Sequence, residues 1–194
     1  MKKRQAAFFV IVGAMTLMMA CQQQQQQQAV EDPVKRGEYL VTIGGCNDCH
    51  SPKLPGPIPV PDESRLLSGH PSAEPYPTWS PADLQDRNAI ALTSSMLSSW
   101  AGPWGVSFAA NLTPDKATGL GNWAEESFIR ALRTGKHLGQ ADGREILPPM
   151  PWPTIARMTD SDLKAMWAYL QSLPAIENQV PAPIPPDTMP GGGQ

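Results

Sequence analysis

The residues with the clearest chemical potential form one pentapeptide, Cys46-Asn47-Asp48-Cys49-His50, of the pattern C-x-x-C-H. On a single turn of helix, both cysteines can reach the same edge of a flat ligand while the histidine lies beside the second thiol. This pattern is typical of haem c attachment, in which two thiols add across the porphyrin vinyl groups and the imidazole binds iron. The pentapeptide therefore predicts one covalently bound haem c, held by Cys46 and Cys49, with His50 as an axial ligand.

Three other interpretations of the cysteine pair fit less well. A zinc site needs two more ligands, and His70 and His137 lack the usual close pairing. A thioredoxin-like dithiol belongs in a strand–helix–strand setting, which the sequence does not indicate. A structural disulfide would leave His50 unexplained.

The remaining methionines and histidines are the candidates for the second axial ligand of the haem iron. Met150 lies in Leu147-Pro148-Pro149-Met150-Pro151-Trp152-Pro153, where the prolines predict a stiff, extended segment. Such a segment loses little entropy when a weak thioether ligand coordinates iron. Met150 is therefore the favoured ligand, with His137, His70 and Met96 as alternatives, and it could instead only fill a gap in the packing. Packing roles are expected for Met158 and Met166, and Met189 falls in the C-terminal tail.

The N-terminus has the pattern of an export signal. Lys2, Lys3 and Arg4 precede an apolar run, residues 6–20, which is too short to span a bilayer comfortably. The run ends at Ala20-Cys21, which resembles a bacterial lipobox. We expect cleavage after residue 20, lipidation of Cys21, and a tether over residues 21–31 that contains seven consecutive glutamines. An ordinary secretory signal cut nearby is the alternative.

Sequence signals for helix starts and ends predict three further elements around the pentapeptide. Asp32-Pro33 predicts the start of a helix that Gly44-Gly45 ends. Asn122 and Glu125 suggest a capping box at the start of a second helix, stopped by Gly135. Thr159 with Asp162 predicts the cap of the last helix, whose apolar stripe includes Leu163, Met166, Trp167, Leu170 and Leu173 before Pro174.

No alternating strand pattern of any length is visible. The expected fold class is therefore all-α with much coil. The expected domain covers residues 32–174, with a long coil insertion at 51–108 and a proline- and glycine-rich tail at 175–194. Trp79, Trp100 and Trp104 in the insertion could shield a haem or donate to a propionate, although simple packing is the favoured role.

Composition limits the remaining function classes. The chain has 194 residues, with 22 prolines and three cysteines. Three cysteines exclude a disulfide-dense scaffold. The 15 basic and 18 acidic residues exclude a general nucleic-acid binder.

Several segments of the chain together resemble those of a known protein family. Gly37-Glu38-Tyr39-Leu40, the C-x-x-C-H pentapeptide, Asn111-Leu112-Thr113-Pro114-Asp115 and Pro149-Met150-Pro151 resemble segments of the monohaem class I c-type cytochromes. The cytochrome domains associated with bacterial alcohol and sugar dehydrogenases are the most similar. The resemblance covers residues 33–50 and 108–186 well.

The family resemblance implies several structural features. The N- and C-terminal helices should cross near one haem edge, with Gly37 permitting close approach and Tyr39 or Leu40 against Trp167 or Leu170. The Pro52 carbonyl should accept the Nδ1 proton of His50 and orient the ring.

The expected function is one-electron transfer by a membrane-anchored cytochrome with His50 and Met150 as axial ligands. The donor would be a dehydrogenase, and the acceptor an oxidase or another cytochrome, on the periplasmic side of a bacterial membrane. The alternative is a dedicated electron-accepting subunit of a periplasmic dehydrogenase complex. A haem enzyme such as a peroxidase needs an open iron or a second haem, and a sensor needs an output domain; neither is indicated.

Overall fold

A computed structural model describes residues 32–84 and 90–189. The predicted export signal, the predicted lipidation site at Cys21 and the predicted glutamine tether lie outside the described residues. Within the described part of the chain, no helix is both long and apolar enough to cross a membrane.

Five α-helices carry most of the regular structure within the described residues. They are α1 (Pro33–Ile43), α2 (Cys46–His50), α3 (Glu125–Thr134), α4 (Trp152–Ile155) and α5 (Asp160–Ser172). The start of α1 at Pro33 and its end before Gly44-Gly45 are confirmed. Gly45 adopts the left-handed conformation (φ 66°) that separates α1 from α2.

The predicted ends of the two later helices have different outcomes. Thr159 caps α5 by accepting a hydrogen bond from the Asp162 amide, and Gly135 ends α3 in the left-handed conformation, as predicted. The capping box at Asn122 is wrong. Ala124 holds the N-cap position without a side-chain bond, and the Asn122 amide donates to the Lys116 carbonyl 2.7 Å away.

The all-α prediction is wrong, because two small antiparallel sheets are present. The first pairs β1 (Lys53–Leu54) with β2 (Val60–Pro61). The second has the order β3 (Leu92–Thr93), β4 (Ser99–Gly102), β5 (Gly105–Phe108). Both lie in the segment expected to be coil, and short 3-10 helices at Glu63–Arg65 and Pro81–Leu84 add to it. Strands of two to four residues are too short to show an alternating pattern.

Helices α1 and α5 pack closely, as the resemblance implied. A Cβ on Gly37 would lie 1.9 Å from the Ala165 carbonyl oxygen, so only glycine allows this approach. Leu40 and Leu170 are buried in the core cluster there, and Trp167 packs against its edge. Tyr39 is exposed instead.

A second, smaller core lies beside the three-stranded sheet. Trp79 and Met189 are buried there with Ala101 and Val106. Packing is therefore the role of Trp79. The indole Nε1 of Trp100 donates to the Leu97 carbonyl, and that of Trp104 to the Ser107 hydroxyl.

The candidate haem site

The pentapeptide forms the single-turn helix α2, at the edge of the main core. Cys46 packs against that core, and neither Cys46 nor Cys49 forms a disulfide. Both thiols and the imidazole of His50 are half-buried. One turn of helix therefore presents the three groups together, as the spacing predicts.

Two buried side chains stabilise this turn. The Ser51 hydroxyl donates to the Asn47 side chain (2.9 Å) and accepts the Leu67 amide proton (2.9 Å). The ammonium group of Lys53 donates to the carbonyls of Asn47 (2.9 Å) and Ser51 (2.5 Å). A cation at the carbonyl end of a helix is favourable, so Lys53 fixes the end of the motif. Sequence reasoning missed Lys53, because nothing in its local pattern marks it as buried.

Burial raises the pKa of the Cys46 thiol to about 11. Burial also raises the pKa of Cys49, while the charge of Lys53 opposes that shift. Catalytic C-x-x-C thiols have lowered pKa values, so the direction of the shift argues against a redox dithiol.

The orientation of His50 is fixed by a distant carbonyl. Its Nδ1 lies 2.8 Å from the carbonyl oxygen of Ala110, which can only accept, so Nδ1 carries the proton. Burial lowers the pKa of His50, and the hydrogen bond to Ala110 opposes that shift. The neutral ring therefore keeps the lone pair on Nε2, the arrangement that a metal-binding histidine requires.

The prediction for Pro52 is wrong. Its carbonyl accepts the Asp62 amide proton (2.8 Å) and so is engaged elsewhere. The residue that holds the imidazole, Ala110, is 60 positions from His50 in the sequence. A backbone carbonyl carries no side-chain signature, and no sequence signal could have identified it.

The candidates for the second axial position are dispersed. Met150 is half-buried against the same core cluster as Cys46, and Met158 packs there too. Met166 is buried in that core, as expected, and Met189 lies in the second core. Met96 lies in the turn between β3 and β4, outside both clusters.

The two alternative histidines have other neighbours. The ring of His70 is buried, with Nδ1 2.9 Å from the Ser98 hydroxyl and the ring centroid 5.1 Å from that of Phe108. His137 lies edge-on to Trp123, with ring centroids 5.2 Å apart. No group of three or more acidic, histidine or cysteine side chains converges as a metal site anywhere in residues 32–84 and 90–189.

Similarity to known proteins agrees with this geometry. The chain is 32% identical to the gluconate 2-dehydrogenase cytochrome c subunit of Pantoea cypripedii over 70% of its length. It is 30% identical to the cytochrome c subunit of the quinone-type alcohol dehydrogenase of Gluconobacter oxydans over 79%, and 36% identical to the fructose dehydrogenase cytochrome subunit of Gluconobacter japonicus over 78%. These alignments span 22%, 24% and 24% of the respective relatives, about a quarter of their length. No protein-family model matches the chain.

The motif helix, the oriented histidine and these relatives together support a cytochrome c domain. Within that class it is related to the cytochrome subunits of bacterial gluconate, alcohol and fructose dehydrogenases. This relationship implies haem c as the cofactor, and the residues of α2 fit that group.

Proposed function

We propose that this protein transfers single electrons through one haem c attached covalently at Cys46 and Cys49, with His50 and Met150 as axial ligands. The arrangement of α2 is the main support, since two unpaired thiols lie beside an imidazole whose Nδ1 is already bonded to Ala110. Met150 is supported by its place at the edge of the core that Cys46 also contacts.

Bound haem supplies a reversible one-electron couple to this site. One electron arrives from a reduced donor and leaves to an oxidised acceptor, and no atom or group is transferred. His50 and Met150 would hold the iron, and the haem would then supply electron transfer with no open position for a substrate. The apolar surroundings and the neutral thioether both favour the reduced state, so a relatively high potential is expected.

The proposal includes export and anchoring. Lipidation at Cys21 would hold the protein on the periplasmic side of a membrane, with residues 21–31 as the tether. Replacement of Cys21 by serine should release a haem-bearing protein into the soluble fraction. A Cys21→Ser variant that stays in the membrane would contradict this anchor.

Absorption spectroscopy tests the ligand set directly. The wild-type protein should show covalently retained haem and a methionine–iron charge-transfer band in the near infrared. The Met150→Ala variant should lose that band, and its ferrous form should bind carbon monoxide. Met158→Ala is the matched control, because Met158 packs against the same core and should keep the band. If the band survives in Met150→Ala, the axial assignment is wrong.

A second candidate function is favoured by the relatives, which are named as subunits of dehydrogenases. In that case the protein is the dedicated electron acceptor of one periplasmic dehydrogenase. Reduction of the purified cytochrome should then be rapid with that single dehydrogenase and its substrate. Equal rates with unrelated reduced donors would favour a freely diffusing carrier instead.

A further inference from the structure

The Met150 segment, residues 147–153, has few backbone N–H groups that could donate hydrogen bonds to the rest of the protein. Pro148, Pro149, Pro151 and Pro153 have no N–H group, and the Met150 amide donates to the nearby Leu147 carbonyl at 3.3 Å. Fixing the residues around Met150 therefore depends on donors elsewhere that reach the carbonyls of this segment.

Ser107 is such a donor. Its hydroxyl lies 2.6 Å from the carbonyl oxygen of Pro148, two residues before Met150. The indole N–H of Trp104 donates to the same hydroxyl at 3.2 Å. Because an indole N–H cannot accept, the single hydroxyl proton is left for Pro148.

Ser107 is itself held rigidly. It is buried in β5, where it pairs with Trp100 of β4, and its neighbour Val106 forms a bridge to Ile184. The ring of Trp104 lies so close to Gly102 that a Cβ there would be 2.4 Å from it. Strand pairing and this contact fix the donor without any contribution from the Met150 segment.

The same stretch of chain also orients His50. Three residues after Ser107, the carbonyl of Ala110 accepts the Nδ1 proton of His50. One continuous segment, residues 107–110, is thus hydrogen-bonded both to the motif helix and to the Met150 segment.

We infer that Ser107 is a positioning residue for Met150, and that its hydroxyl holds the proline-rich segment where the thioether can stay on iron. This inference rests on the proposed function, because it takes Met150 as the axial ligand. In chemical terms, the Ser107 hydroxyl shifts the equilibrium between iron-bound and detached Met150 thioether toward the bound form.

The test compares variants of the haem-loaded protein. In Ser107→Ala the ferrous form should bind carbon monoxide about fivefold to tenfold more readily than wild type, since one partly buried hydrogen bond no longer opposes detachment. The charge-transfer band should weaken, and the reduction potential should fall. Ser107→Thr keeps a hydroxyl and should restore all three properties.

Ser99→Ala is the matched control, because Ser99 is also buried, in the neighbouring strand, and its hydroxyl makes no hydrogen bond within the described residues. It should leave the band and carbon monoxide binding as in wild type. If Ser107→Ala does not fold, Trp104→Phe serves instead. It keeps a ring against Gly102, removes the donor to Ser107, and should produce a smaller shift of the same sign.

The outcomes separate the two claims. Loss of the band in Met150→Ala, combined with wild-type carbon monoxide binding in Ser107→Ala, overturns the role of Ser107 and leaves the proposed ligand set intact. A band that survives in Met150→Ala overturns both. Equal shifts in Ser107→Ala and Ser99→Ala would mean general loosening of the sheet and would also contradict the inference.

Discussion

His70 is the histidine buried most completely, with 2% of its surface exposed. The ring is enclosed by Ser98, Phe108 and Tyr76. Burial lowers its pKa, and the Glu74 backbone opposes that shift more weakly. The folded protein therefore disfavours protonation of this ring, whereas the unfolded chain does not.

This difference predicts a stability that depends on pH. As pH falls below about 6.5, the unfolded chain gains a proton at His70 before the folded protein does, so the free energy of unfolding decreases. The contribution of His70 is fully present above that pH. His70→Asn does not titrate, and the slope of the unfolding free energy between about pH 6.5 and 5 should be shallower than in wild type. Urea unfolding of both proteins measures the slopes, and identical slopes would show that His70 plays no part.

The sequence alone predicts some residues of the candidate site and not others. Cys46, Cys49 and His50 are predictable because adjacent positions on one helical turn carry the whole pattern. The partner of His50 is not, because the chain between Pro52 and Ala110 folds so that a distant carbonyl reaches the ring. Pro52 is near in sequence, yet its carbonyl completes the turn to Asp62 instead.

The contact between α1 and α5 is an element-scale feature that a single added methyl group should disturb. At Gly37 an added Cβ would meet the backbone carbonyl of Ala165, which cannot move aside as a side chain could. Gly37→Ala should therefore lower the free energy of unfolding by about 1–3 kcal/mol, with the helices forced apart. Chemical denaturation of the haem-loaded protein measures this loss.

Gly56→Ala provides the control for that substitution. A Cβ at Gly56 meets only the Ile58 carbonyl at 3.7 Å, an ordinary contact. Its stability should remain within about 0.5 kcal/mol of wild type. A Gly37→Ala protein as stable as Gly56→Ala would mean that the helix contact tolerates separation.

The helices and the strands were predictable to different degrees. Caps such as Thr159 and stops such as Gly135 act within one turn, so local sequence defines α5 and the end of α3. The strands β3 to β5 depend on pairing across the chain and on the bridge to Ile184, which no local period records. The prediction of coil is therefore wrong for the three-stranded sheet, which includes Ser107.

At the scale of the whole folded region, residues 175–189 form a C-terminal strap that pairs with other parts of the chain. The Ile176 carbonyl accepts from the Asn111 amide at 2.8 Å, and Ile184 pairs with Val106. The strap ends with Met189 buried in the second core. It thus runs from the end of α5, whose Leu170 lies in the main core, to the second core.

Asn178 is the residue through which the strap reaches the candidate haem site. Its side-chain nitrogen Nδ2 donates to the backbone carbonyls of Ser68 (2.7 Å) and His70 (2.9 Å). Its side-chain oxygen Oδ1 accepts the backbone amide proton of Ser72 (2.9 Å). Between Ser68 and His70, the Gly69 amide donates to the carbonyl of His50 at 2.7 Å. Asn178 therefore supports the loop that borders the motif helix.

Asn178→Asp tests that support with almost no change in size. The carboxylate has no N–H and would face two carbonyl oxygens, so the free energy of unfolding should fall by about 1–3 kcal/mol. Protease cleavage within residues 175–189 should become faster, because the strap detaches more often. Gln179→Ala, at the exposed neighbouring position, should match wild type in both measurements. Unchanged cleavage in Asn178→Asp would mean that the pairing at Ile184 and burial of Met189 hold the strap without it.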